Sequence, residues 1–239
     1  MMRGRLPRPA APRQAPPAPI AARIILLRDD AMVLDKPAGL PVHRGPRGGA
    51  SMEDWLEQLR MGRRHLPQPA HRLDTDTAGC LVLGRTKPAL GALGRIFAAG
   101  QADKTYWAVL RGGPAEDDGA IDAPLRKTSS AARGWRMEVH PEGQPAVTRW
   151  RVLGRGTGLT WVEFRPETGR THQLRVHAAA QGWPILGDPL YGEAAPGGLH
   201  LLARAIALPL DPPLAATAPV PPHMQAALRA CGWDAATAP

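Results

Sequence analysis

Cysteine is scarce in this chain. Cys80 and Cys231 are the only two in 239 residues. That is too few for a disulfide framework or a cysteine zinc site, and it fits a reducing, cytoplasmic setting. Long apolar runs are lacking too. No stretch can span a bilayer, and no basic amphipathic helix stands out to lie on one. The first twenty residues lack the apolar segment of a secretory signal. Lysine is rare: Lys36, Lys87, Lys104 and Lys127 are the four among 30 basic residues. Acidic residues number 21, which leaves a formal charge of +9. Such a balance implies a polyanionic partner, most often nucleic acid. Arginine suits it, through two-pronged phosphate contacts and stacking on bases.

Residues 1–22 are rich in Pro, Ala and Arg. Six arginines and no acid occur up to Arg28, and six prolines precede Ile20. This predicts a disordered basic tail, with the catalytic-sized domain over 23–232 and a flexible end over 233–239. Strands are expected at 23–27, 32–37, 79–86, 104–112, 135–140, 146–156, 158–166 and 199–210, from their apolar runs and alternation. Gly156-Thr157-Gly158 reads as a tight hairpin. Helices are expected over 51–61, with Ser51 as N-cap and Asp54 three residues on, over 87–100, over 171–182 and near 222–231. Residues 209–222 read as a proline-rich crossing. Strands mostly neighbour strands, so the class is α+β, with a mixed, largely antiparallel sheet and a few flanking helices.

Three stretches concentrate unusual polar residues: HRLDTDTAG (71–79), DKTYWAVLRG (103–112) and residues 165–192. In the third, a helix opening after Thr168-Gly169 would aim backbone N–H groups and arginines at one place, a phosphate-binding arrangement. Other chemistries fit less well. The Gly-rich stretch 45–51 lacks the Lys-Ser/Thr of a phosphate loop. His172 and His177 are five apart, on different helix faces, where a zinc pair wants four. That disfavours a metal-dependent RNA hydrolase. Cys80 sits in an apolar run, and no serine lies in a strand-to-helix elbow.

Together these stretches resemble the RluA-type family of RNA pseudouridine synthases. The resemblance rests on His71-Arg72-Leu73-Asp74, on Lys104-Thr105-Tyr106, on Thr168-Gly169-Arg170-Thr171-His172-Gln173-Leu174-Arg175-Val176-His177, and on Pro184-Ile185-Leu186-Gly187-Asp188-Pro189-Leu190-Tyr191-Gly192. MVLDKPAGLPVH (32–43) resembles the family's entry strand. Four matches in order, over about residues 24–210, are highly specific. Ala78 departs from the family, which has serine there. The family's additional N-terminal RNA-binding domain, common in relatives, is not seen in this sequence.

The resemblance implies isomerisation of uridine to pseudouridine in rRNA or tRNA, with no cofactor and no metal. Asp74 would be the catalytic carboxylate, Arg170 its guanidinium partner, and Tyr106 the ring that stacks on uracil and takes the C5 proton. Leu174 would pack beside the base, and Arg72 would enter the RNA as the nucleotide flips out. His71, Lys104, His172 and Arg175 complete the expected RNA-binding set. RNA is the expected partner, with no obligate protein partner and a monomer as the default. The alternative is an RNA-binding or ribosome-assembly protein with the same fold and no turnover.

Overall fold

The computed structural model describes residues 19–45, 48–130 and 134–236. Among them, ten strands form one sheet: β1 (Ile24–Leu27), β2 (Ala31–Lys36), β3 (Gln68–Pro69), β4 (Ala78–Gly84), β5 (Asp103–Arg111), β6 (Asp118–Asp122), β9 (Val147–Gly156), β10 (Leu159–Pro166), β11 (Leu201–Leu208) and β12 (Leu214–Thr217). Their order is β1-β2-β4-β11-β5-β10-β9-β6, with β12 on β11 and β3 on β4. Strands β7 (Leu125–Ser130) and β8 (Gly134–Val139) make a separate hairpin. The helices are α1 (Lys87–Ala98), α2 (Gln173–Ala180) and α3 (Pro222–Ala230). This is the α+β class expected. Every pairing is antiparallel except the short contact of β11 with β4.

Strand parity divides the core. Val33, Cys80, Val82, Trp107 and Trp161 face one side, where they pack with Leu93 and Ile96 of α1 and Met224 and Leu228 of α3. Met32, Leu34, Leu81 and Leu83 face the other side, against Met52, Trp55 and Leu59. Further along that second face, Ala108, Leu110, Val162 and Phe164 meet Leu174 and Ala178 of α2. Every residue of β4 is buried, which is why AGCLVLG reads as a continuous apolar run.

Gly79 fixes where three strands meet. Its φ is +107°, and a Cβ there would stand 2.3 Å from the Ala203 carbonyl oxygen. Ala203 lies between Gly79 of β4 and Tyr106 of β5. The loop carrying Asp74 therefore leads into a strand one position removed from Tyr106.

Three expectations need correction. Residues 51–61 do not form an α-helix: Met52–Trp55 is a 3-10 turn, followed by turns to Leu59. The Asp54 carboxylate does accept the Ser51 N–H, at 2.9 Å. Met52, Trp55, Leu56 and Leu59 are all buried, and laying four apolar side chains on the sheet outweighs local helix preference. The proline-rich crossing contains β12, whose Leu214 and Ala216 are buried while Ala215 and Thr217 are exposed. The packed body also runs past both expected boundaries, since Ile20 and Trp233 are buried. The expected tail lies, up to residue 18, outside the described residues.

Candidate active site

A cavity of about 640 Å³ opens on the α2 face of the sheet, lined by the 71–77 loop, β5, the end of β10 and the start of α2. Asp74, Tyr106, Leu174 and Arg175 all line it. The Asp74 side chain is 18% exposed. Arg175 brings Nη1 to 3.8 Å from Asp74 Oδ2, and His172 brings Nε2 to 3.9 Å. These are charge neighbours, too far apart for direct hydrogen bonds.

Arg175 is held from behind. Its Nε and Nη2 each donate to Asp188, both at 2.7 Å, in a buried two-pronged pair. Burial pushes the Asp188 carboxyl up, but Arg175 and the N–H groups of Leu190 and Tyr191 outweigh it and hold it below the usual range. Burial would lower Arg175; Asp188 and Asp74 raise it instead. The cation is thus permanent, and its third nitrogen is committed to the cavity.

The expected pairing of Arg170 with Asp74 is not made. Arg170 is exposed in the loop before α2, and its Nε donates to the Pro145 carbonyl at 3.1 Å. α2 begins only at Gln173, so it is Leu174 and Arg175, in the first helical turn, that point inward. The Arg170 N–H is not free for an anion, since Gln173 Oε1 accepts it at 3.0 Å. Gln173 also accepts from Thr168 and donates to Val147 and Thr148. It braces the whole turn.

His172 caps α2 with φ +54°, a left-handed conformation that is costly outside glycine and collects at functional sites. Its Nδ1 is 2.8 Å from the Tyr191 hydroxyl. That hydroxyl also accepts the Met137 N–H at 3.0 Å, and the other ring nitrogen, Nε2, is the one turned to Asp74. Burial lowers its pKa more than the Asp74 charge raises it.

Tyr106 sits across from Asp74. Burial, then the Asp74 charge, push its phenol well above the ordinary range, so the ring is a neutral phenol at physiological pH. Lys104, which burial pushes down, has Nζ 3.5 Å from the Thr168 carbonyl. Arg72 is exposed at the mouth. His71 lines the same cavity and is held from behind. It is stacked on Phe97 at 4.5 Å, and its Nε2 accepts the Val82 N–H at 3.0 Å. Burial pushes it down to about 4. It is a neutral brace that ties the Asp74 loop to β4.

Lys36 was not among the expected site residues. It is fully buried, and its Nζ lies 2.8–3.0 Å from the carbonyls of Pro37, Leu40 and Thr75. Burial pushes it down to about 7, against the raising charges of Asp76, Asp74 and Asp35. Three acceptors match the three hydrogens of an ammonium and would leave one facing a lone pair in the neutral amine. Thr75 also accepts the Gly39 N–H at 2.9 Å, so the Asp74-Thr75-Asp76 turn is pinned from beneath. The signal was in the alternation: Met32, Leu34 and Lys36 share one face of β2. Among the described residues, no group of three or more His, Cys, Asp or Glu side chains gathers as a metal site would. No described helix is long and apolar enough to cross a membrane.

Comparison with known proteins agrees with this geometry. Residues 30–180 match the family model described as RNA pseudouridylate synthase, and the chain belongs to that family. An uncharacterized RNA pseudouridine synthase of Zymomonas mobilis is 45% identical, over 84% of this chain and 95% of that protein. Ribosomal large subunit pseudouridine synthase D of Nitrosomonas europaea is 38% identical over 74% of this chain, which spans 52% of that relative's length. The solved structure of human RNA pseudouridylate synthase domain containing 4 superposes with a TM-score of 0.75 at 27% identity, covering 88% of this chain and 93% of that one.

Proposed function

We propose that this chain isomerises specific uridines of ribosomal or transfer RNA to pseudouridine, with Asp74 as the essential carboxylate. The observation that carries this is the placement of Asp74 in one cavity with the neutral Tyr106 and the anchored Arg175. The reaction breaks the N1–C1′ bond, turns the uracil and joins C5 to C1′. Asp74 acts on the ribose, where a carboxylate can meet the electron-poor sugar. Arg175 keeps a positive charge and a fixed donor beside it. Tyr106 stacks on the uracil. As a neutral phenol it can take the C5 proton only while passing its own proton on; Asp74 is the nearby base to receive it, and a proton delivered to the freed N1 closes the isomerisation and restores the carboxylate.

Leu174 supplies the apolar contact for the base. Arg72, Lys104 and Arg170, ranged around the opening, suit phosphate contacts. The relatives named as ribosomal large subunit enzymes favour ribosomal RNA. The convergence of Asp74, Tyr106 and Arg175 supports turnover over an RNA-binding role alone. Chemical mapping of pseudouridine in ribosomal and transfer RNA, with and without this protein, tests the proposal. New sites that need the protein are expected; none in either pool would overturn it.

A further inference from the structure

Strand β8 turns Trp135, Met137 and Val139 to one face, opposite Leu125 and Lys127 of β7. At the base of this hairpin, Leu125 is buried and Met137 packs against it with Val176 of α2. Two residues nearer the tip, Trp135 runs past that cluster and is 46% exposed. Its indole is stacked on the His172 ring, with centroids 5.2 Å apart at 27°. Lys127 Nζ lies 5.1 Å from the indole centroid. Beyond its contacts with His172 and Lys127, an indole left this open beside an active-site histidine keeps aromatic surface facing solvent.

Its position is fixed rather than incidental. Met137, on the same strand, donates its N–H to Tyr191, which bonds His172. His172 in turn faces Asp74 at 3.9 Å. The indole therefore stands one imidazole away from the catalytic carboxylate, at the distance of a neighbouring nucleotide rather than of the target base itself.

We propose that Trp135 is a substrate-binding residue whose indole stacks on an unpaired RNA base next to the flipped uridine. Lys127, exposed beside it, meets the phosphate of the same nucleotide. This rests on the reading that the chain acts on RNA. Stacking tolerates any base, so the platform holds the strand in register and leaves base identity to other contacts. Base–aromatic stacking is worth about 1–3 kcal/mol by alanine substitution, or roughly 5- to 150-fold in affinity.

The test uses the full chain and a single-stranded RNA that contains a site the wild type modifies. Trp135→Ala is expected to raise KM about tenfold or more, with a much smaller change in kcat. Trp135→Phe should restore most of the loss, and Trp135→Leu, similar in apolar bulk but without a π face, should not. An RNA with an abasic nucleotide beside the target should bind wild type more weakly but Trp135→Ala no more weakly than intact RNA. An unchanged KM in Trp135→Ala, full rescue by leucine, or an abasic penalty equal in both proteins would overturn the proposal. If wild type forms no pseudouridine, the proposed function fails. The stacking claim is then still decided by anisotropy titrations of the same RNA pair.

Discussion

Arg175 grips Asp188 with two nitrogens and offers the third to Asp74, 3.8 Å from its Oδ2. One guanidinium thus joins a buried carboxylate to one that lines the cavity. Replacing Arg175 by lysine keeps a charge but cannot serve both partners. Arg175→Lys should lose activity severely. It should also lose about 3–5 kcal/mol of stability, because buried Asp188 is left under-paired. Arg170→Lys should weaken RNA binding modestly and leave the fold intact. Kinetics and urea melts of the two variants check the contrast; equal damage from both would contradict it.

Lys36 pins the Asp74 turn through the Thr75 carbonyl. Lys36→Met fills the space but leaves three carbonyls without their donor. We expect a loss of about 3 kcal/mol or more, and a fall in turnover beyond what the remaining folded fraction explains. Denaturant titration alongside single-turnover assays at low temperature separates the two effects.

Tyr106→Phe keeps the ring and removes the hydroxyl. RNA affinity should stay within a few-fold of wild type, while turnover falls by about 10²- to 10⁴-fold, the usual weight of a proton-transfer group. Unimpaired turnover would show that the C5 proton leaves by another route.

His71 is held neutral, down at about 4, while an unfolded histidine titrates near ~6.5. Above pH 6.5 it is neutral in both states and carries no penalty. Between 6.5 and about 4 the unfolded chain binds a proton that the folded chain refuses, so stability falls as pH falls. Gln can accept the Val82 N–H without titrating. His71→Gln should therefore lose less stability than wild type between pH 7.5 and 5, as read by denaturant midpoints. Equal acid losses would contradict the buried, neutral state.

Much of the site was legible because its residues are local in sequence. Asp74 with Arg72, and the run from Thr168 to His177, arrive as unbroken motifs. The choice between Arg170 and Arg175 was not legible, since it depends on α2 beginning at Gln173 rather than a few residues earlier. Four β-strands, β3, β6, β7 and β12, were not expected from the sequence, and two of them show why. β6 buries a single residue, Ile121, at the sheet edge, and β12 compresses its alternation into four residues between prolines. Nothing in the sequence brings Trp135 to His172, since that contact depends on how the hairpin folds back over α2. The separation of β7–β8 from the main sheet is likewise a tertiary result.

The most direct measurement is pseudouridine formation by Asp74→Asn, assayed beside wild type on the same RNA with folding and RNA binding checked in parallel. Asparagine matches the shape of the carboxylate and removes its charge and basicity. Pseudouridine is expected to fall to background while the variant folds and binds RNA at least as tightly, one negative charge having left a cavity that faces a polyanion. Wild-type turnover in Asp74→Asn, with mass spectrometry excluding deamidation back to aspartate, would contradict it.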